Sequence, residues 1–157
     1  NIAAWRALLA DSARMTAVEL LSLRAMTNRL ERGRGGWVEI GDGTVRYPAV
    51  LEFPRRVDVV VDRGCASSCE QFLLAARQSA RTTLYGERSA GVLDYANVRS
   101  VPMPDGTLVL RLPTSRSRRL PADPVDPDGI APDVVVPPAE GDWIGWILAQ
   151  PFVPRKR

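Results

Sequence analysis

Residue types suited to nucleophilic chemistry crowd into six positions, Cys65-Ala66-Ser67-Ser68-Cys69-Glu70. A serine at the corner between a buried strand and a helix projects its hydroxyl into the crevice at the strand's carboxyl end. The N–H of the next residue can then stabilise an oxyanion. Ser67 stands at such a corner and Ser68 follows it. The same residues also spell Ser-x-x-Glu, the capping box, in which Ser67 accepts the N–H three residues on and Glu70 reaches back. Pattern alone favours the cap. Cys65 and Cys69 bracket Ser67. They read equally as a disulfide that stiffens the turn or as two small buried apolar side chains. Cys69 as the nucleophile is disfavoured, because it lies inside the helix with no base beside it.

A hydroxyl nucleophile needs a base, and here the composition is restrictive. The 157 residues contain no His, which removes the commonest general base near neutral pH and the commonest metal ligand. Two Cys cannot make a four-ligand zinc site alone. No metal site and no cofactor are expected. Net charge is +3, and the basic residues are almost all Arg. Their clusters, Arg55-Arg56, Arg116 with Arg118-Arg119, and Arg155-Lys156-Arg157, lack a groove-reading motif or interleaved aromatics, so they read as solvated surface rather than a nucleic-acid face. No apolar run approaches the length of a membrane span. The start has no basic head followed by an apolar stretch, and no initiator Met. The chain therefore reads as a fragment or a processed product.

The elements that would position Ser67 are legible. Residues 2–10 and roughly 13–32 read as helices, the second burying Met15, Val18, Leu21 and Ala25, extended by Met26 and Leu30. Trp37–Ile40 and Thr44–Tyr47 flank Gly41-Asp42-Gly43 as a hairpin. Val57–Val61 reads as a buried strand, Ser68–Ala80 as a helix burying Phe72, Leu73, Ala76 and Ala80, and Thr82–Tyr85 as a strand closed by Gly86. Strand, tight turn, helix, strand is a βαβ unit, and such units build parallel sheets. Asn97–Pro102 and Thr107–Leu112 pair around Pro104-Asp105-Gly106. Pro121–Asp128 reads as a surface loop, Asp133–Val136 as a last strand, and Trp143, Ile144, Ile147 and Leu148 as the stripe of a closing helix. The organisation expected is one domain, with a helical lead-in over 1–36, an α/β core over 37–138, and a helix with a basic tail over 139–157.

Four segments in order resemble the second half of the catalytic domain in the C-terminal-processing (tail-specific) serine peptidases, a family that includes the tricorn core protease. Ser67 through Glu70 is similar to the family's Ser-x-x-Glu after a buried strand. Gly86-Glu87-Arg88-Ser89-Ala90-Gly91 resembles its Gly-Glu-x-Thr-x-Gly turn. Leu93–Leu112 resembles the substrate-side hairpin, and Gly129-Ile130-Ala131-Pro132-Asp133 the segment that closes the domain. The resemblance implies a Clp protease/crotonase-like α/β fold, mainly parallel with an attached hairpin. It implies peptide-bond hydrolysis with Ser67 as nucleophile and the Ser68 N–H as an oxyanion donor. It also implies an extracytoplasmic setting. One branch carries a Lys base directly after the Gly-Glu-x-Thr-x-Gly turn. Val92 stands there, which excludes a Ser–Lys dyad at that site, and Lys156 in the tail is a poor substitute. The other branch takes a His from earlier in the chain, oriented by an acidic residue shortly before the closing segment. That residue would be Asp126, with Asp128 as its rival and a solvated loop carboxylate as the bland alternative. Glu70, Glu87, Ser89 and Asp133 are expected to be structural.

The reading is thus a serine peptidase domain of the His branch. The remainder of a parent chain would supply the His and a second oxyanion donor to a peptide or protein substrate. The rival is a non-catalytic peptide- or ligand-binding module. An acyl-CoA enzyme of the crotonase fold is less consistent, because that family does not use the Ser-x-x-Glu corner. Apolar surface left on the lead-in helices would favour self-association.

Overall fold

The computed structural model describes residues 2–11, 13, 15–41, 43, 49 and 51–152. The chain divides into two compact units, Asn1–Pro48 and Ala49–Arg157.

The first unit is a pair of helices, α1 (Ile2–Ala10) and α2 (Ala17–Arg32). The second helix begins four residues later than its periodicity suggests, because Thr16 caps it. Thr16 Oγ1 accepts the Glu19 N–H at 3.3 Å, and the Glu19 carboxylate accepts the Thr16 N–H at 2.8 Å. Its buried row also differs from expectation. Leu23 and Thr27 are buried with Met26 and Leu30 half-buried, an i, i+3, i+4, i+7 row. Val18 and Leu21 are exposed, since no described element of this unit covers that flank. Arg6 of α1 pairs with Glu31 of α2. An apolar groove of about 430 Å³ runs between Trp5, Leu8, Met15, Val18, Leu23 and Met26. Trp37–Ile40 forms no strand, and Thr44–Tyr47, the other half of the expected hairpin, lies outside the described residues.

The second unit is α/β. Strands β1 (Val57–Val61), β2 (Thr82–Gly86) and β7 (Val134–Val135) form a parallel sheet in the order β1-β2-β7. Val57 pairs with Thr82 through to Val61 with Gly86, and Tyr85 with Val134. Helix α3 (Ser68–Ala76) makes the crossover from β1 to β2, as the βαβ pattern requires. Only the central strand β2 is buried throughout; Val60 of β1 is exposed, because β1 lies at the edge of this sheet. Neighbouring residues of β2 face opposite sides. Leu84 joins Val61, Cys65, Leu73, Val125 and Ile130 in one core, and Tyr85 joins Val136 and Ile147 in the other. The second core is closed by α4 (Trp143–Leu148), capped by Asp142, whose Oδ1 accepts the Gly145 N–H at 2.9 Å.

Three details of this unit depart from the sequence pattern. Helix α3 stops at Ala76 rather than Ala80, and Phe72 is exposed while Leu73 and Glu70 face inward. The hairpin β4 (Arg99–Pro102) with β5 (Val109–Leu112) is in the expected place, and a short outer pair, β3 (Tyr95–Ala96) with β6 (Ser115–Arg116), extends it. The Pro121–Asp128 stretch is not a plain surface loop, because Val125 is buried in the first core. Pro and Asp composition marks turns, yet one apolar residue suffices to turn such a segment inward.

Candidate active site

Strand β1 ends at Val61, and a tight turn follows. The Asp62 carboxylate accepts the Gly64 N–H at 2.8 Å, and the Asp62 carbonyl accepts the Cys65 N–H at 3.1 Å. The chain then passes through Ser67 at φ 54°, ψ −107° before α3 begins. A positive φ on a residue with a Cβ is strained, at order 1–3 kcal/mol, and persists only where surroundings impose it. Three constraints impose it here. Cys65 and Cys69 are bridged, with Cα atoms 5.2 Å apart across the turn. The Ala90 N–H donates to the Cys65 carbonyl at 2.9 Å. The Ser67 N–H donates to Glu70 Oε2 at 2.9 Å. The Ser67 side chain faces the Glu70 N–H, and the Ser67 N–H meets the Glu70 carboxylate, as in a capping box. Ser67 and Ser68 are both exposed. The Ser68 N–H, at the positive end of α3, has no hydrogen-bond partner among the described residues.

Glu70 is more than half of a capping box. It is fully buried, and its carboxylate accepts four donors. Besides Ser67 these are the Ser89 hydroxyl at 2.6 Å, the Gly91 N–H at 2.7 Å and the Val92 N–H at 3.1 Å. Burial alone would push this carboxyl up, but the bonds from Ser89, Gly91, Val92 and Ser67 outweigh it and hold it below the ordinary glutamate value. The group is therefore an ionised anchor for the turn rather than a proton donor.

The next amides along belong to a second carboxylate. Leu93 and Asp94 donate their N–H groups to Asp126 Oδ1 at 2.6 and 3.0 Å. Four consecutive amides, Gly91 to Asp94, are thus held by Glu70 and Asp126, and this strip ties the Ser67 turn to the loop before β7. Asp126 is half-buried, and its Oδ2 has no partner among the described residues. Asp128, the rival at the sequence level, is exposed, and among the described residues it offers its carbonyl to Arg88.

Two glycine motifs meet beside the strip. A Cβ on Gly91 (φ +75°) would lie 2.2 Å from the Pro127 carbonyl oxygen, and one on Gly129 (φ +75°) 2.2 Å from that of Ser89. Such approach is open only to glycine. It lets Ser89, itself buried, accept the Ile130 N–H at 2.7 Å while donating to Glu70. Asp133 secures the same region from the other side, accepting the Leu84 N–H at 2.9 Å.

Asp94 and Arg119 were not among the residues that the sequence pattern singled out. Asp94 is fully buried; it accepts the Asp126 N–H at 2.9 Å and that of Val125, and pairs with Arg119 at 2.6 Å. Burial opposes ionisation, but the Asp126 and Val125 amides and the Arg119 guanidinium hold its carboxyl below the ordinary aspartate value. Its only signal was an acidic residue within the apolar run Val92-Leu93-Asp94-Tyr95.

The model of peptidase family S41 matches residues 18–136. This chain belongs to peptidase family S41. No curated protein and no solved structure matches it. S41 membership makes the chain a serine-peptidase-type domain with the Clp protease/crotonase-like α/β fold, and the three-stranded parallel sheet accords with that fold. Peptide or protein substrates follow from the family. The S41 match runs through the Ser67 turn, the Gly91–Asp94 strip and the Asp126 loop. The sequence has no His, Val92 carries an exposed apolar side chain, and Lys156 lies outside the described residues. No helix among the described residues is long and apolar enough to cross a membrane.

Proposed function

We propose that Ser67 is the nucleophile of a peptidase of the His-dependent, tricorn-like branch, of which this chain is the C-terminal part of the catalytic domain. The observation that carries it is the backbone of Ser67. Its strained positive φ, at the end of a parallel strand and the start of a helix, leaves its hydroxyl exposed. A serine used only as a cap does not need the strain, since an N-cap is ordinarily extended backbone.

In this reading Ser67 Oγ attacks the scissile carbonyl carbon while its proton passes to a histidine supplied from outside these 157 residues. The tetrahedral oxyanion is held by the Ser68 N–H and one further donor, also from outside. The C–N bond breaks, the amine leaves with the proton, and water releases the acyl group from Ser67 by the reverse sequence. Asp126 Oδ2, the oxygen not used by Leu93 and Asp94, orients the imidazole. The substrate lies as an extended strand beside the β4–β5 hairpin. The Cys65–Cys69 bridge favours an extracytoplasmic setting, where such a bond persists.

A fluorophosphonate serine probe tests the proposal. The longer protein should be labelled at Ser67 and its Ser67→Ala variant not at all, whereas the 157-residue chain, lacking the base, should stay unlabelled. Strong labelling of the short chain would contradict the missing-base mechanism. The lack of a His favours one other reading, a binding module of the same fold. That reading predicts peptide binding without labelling or cleavage in either form.

A further inference from the structure

We propose that Asp94 and Arg119 are positioning residues for Asp126, an inference that rests on the reading of Asp126 as the carboxylate that orients the base. The segments 93–94 and 125–126 are joined by a reciprocal clasp. Asp126 Oδ1 accepts the N–H groups of Leu93 and Asp94, and Asp94 Oδ2 accepts those of Val125 and Asp126. Each aspartate thus holds the backbone that carries the other. Arg119, from the loop after β6, binds the remaining oxygen of Asp94 at 2.6 Å.

The arrangement constrains Asp126 in two ways. Its Cα is fixed by the amide that Asp94 grips, and its carboxylate plane by the two amides that Oδ1 grips. One oxygen, Oδ2, is left over in a defined direction. A fully buried carboxylate with an ion-pair partner is weak support for stability, since apolar replacements of similar volume are often as stable or more so. Positioning gives it a purpose: an orienting carboxylate must be held within about 0.5 Å of its working place. The Asp126 and Val125 amides, together with Arg119, hold Asp94 ionised, so that both of its oxygens accept. A protonated or amide-bearing side chain there would point a donor at Arg119 or at the two amides.

The test compares Arg119→Gln, Arg119→Lys and Asp94→Asn. Amide hydrogen exchange in the 157-residue chain, read by NMR, reports the clasp without needing activity. In Arg119→Gln and Asp94→Asn the amides at 93 and 94 should exchange about tenfold faster, the loss of roughly one hydrogen bond's stabilisation. Those of Gly91 and Val92, bound to Glu70, should keep their wild-type rates. Arg119→Lys, which retains the charge, should restore most of the protection. In the longer protein, the same two variants should lower kcat about tenfold with KM unchanged. Unchanged exchange at 93 and 94, or equal loss at 91 and 92, overturns the clasp. A wild-type kcat in Arg119→Gln overturns its catalytic purpose. A wild-type protein that never labels at Ser67 sinks the peptidase reading instead, and the exchange rates still decide whether the clasp exists.

Discussion

Glu70 shows how much a single carboxylate can organise. It takes donors from its own helix start, from Ser89 and from two amides of the following strip. In Glu70→Gln the amide NH₂ would face donors, leaving buried groups unpaired. A loss of about 3 kcal/mol is expected in urea unfolding, with the fold retained. The pH dependence follows from the same bonds. Glu70 and Asp94 are both held below their ordinary values. Their contribution is present above the unfolded-chain values, about 4.3 and 3.9, and is lost as pH falls through the lower folded values. Acid titration of stability should therefore steepen below about pH 4, and Glu70→Gln should flatten that slope. Ser67 makes the opposite prediction. Replacing it with Gly, which tolerates φ 54°, should raise stability by about 1 kcal/mol while abolishing any probe labelling.

At the scale of the element, the β1–α3 turn is a short closed loop. The disulfide spans only four residues, so its effect on the unfolded chain is modest, about 2 kcal/mol by loop-closure entropy. Its local effect is larger, because it closes around the one strained residue of the turn. Reduction with a dithiol, or Cys65→Ser with Cys69→Ser, should lower the unfolding free energy by about that amount. It should also slow labelling of Ser67 in the longer protein more than this loss of stability explains. A labelling rate that follows stability alone would mean that Glu70 and the Ala90 bond hold the turn by themselves. The crossover α3 and the strands β1 and β2 were legible in the sequence because a β-branched run and a helical stripe are each local signals. The inward face of α3 was not. Hydrophobicity ranks Phe72 with Leu73, and only the position of the sheet chose Leu73 and Glu70 for burial.

For the whole molecule, the division after Pro48 carries a prediction. Among the described residues, both hydrophobic cores of the second unit draw on positions from Val59 to Ile147. The chain from Ala49 to Arg157 should therefore fold alone, with cooperative melting and the Cys65–Cys69 bridge intact. Circular dichroism and thiol titration would check it, and a non-cooperative melt would show that the helical unit is required. The helical unit exposes Leu8, Val18 and Leu21, a surface that disfavours its stability in isolation.

The sequence by itself determined the βαβ unit, the hairpin, the Ser67 corner and, through four short motifs in order, the family. These are properties of residue type and spacing, which local sterics and periodicity convert into structure. It also determined that no histidine is present. It left the two cysteines open and weighed the Ser67–Glu70 run as a helix cap. Tertiary structure decided those points: the bridge through the local geometry of the turn, the carboxylates through atoms far away in the chain. Ser89, Gly91 and Val92 make Glu70 an anchor rather than a mere cap; Leu93 and Asp94 make Asp126 a held carboxylate rather than a solvated one. Asp94 and Arg119 drew no notice as letters, since a buried carboxylate is recognisable only by the amides and guanidinium that surround it.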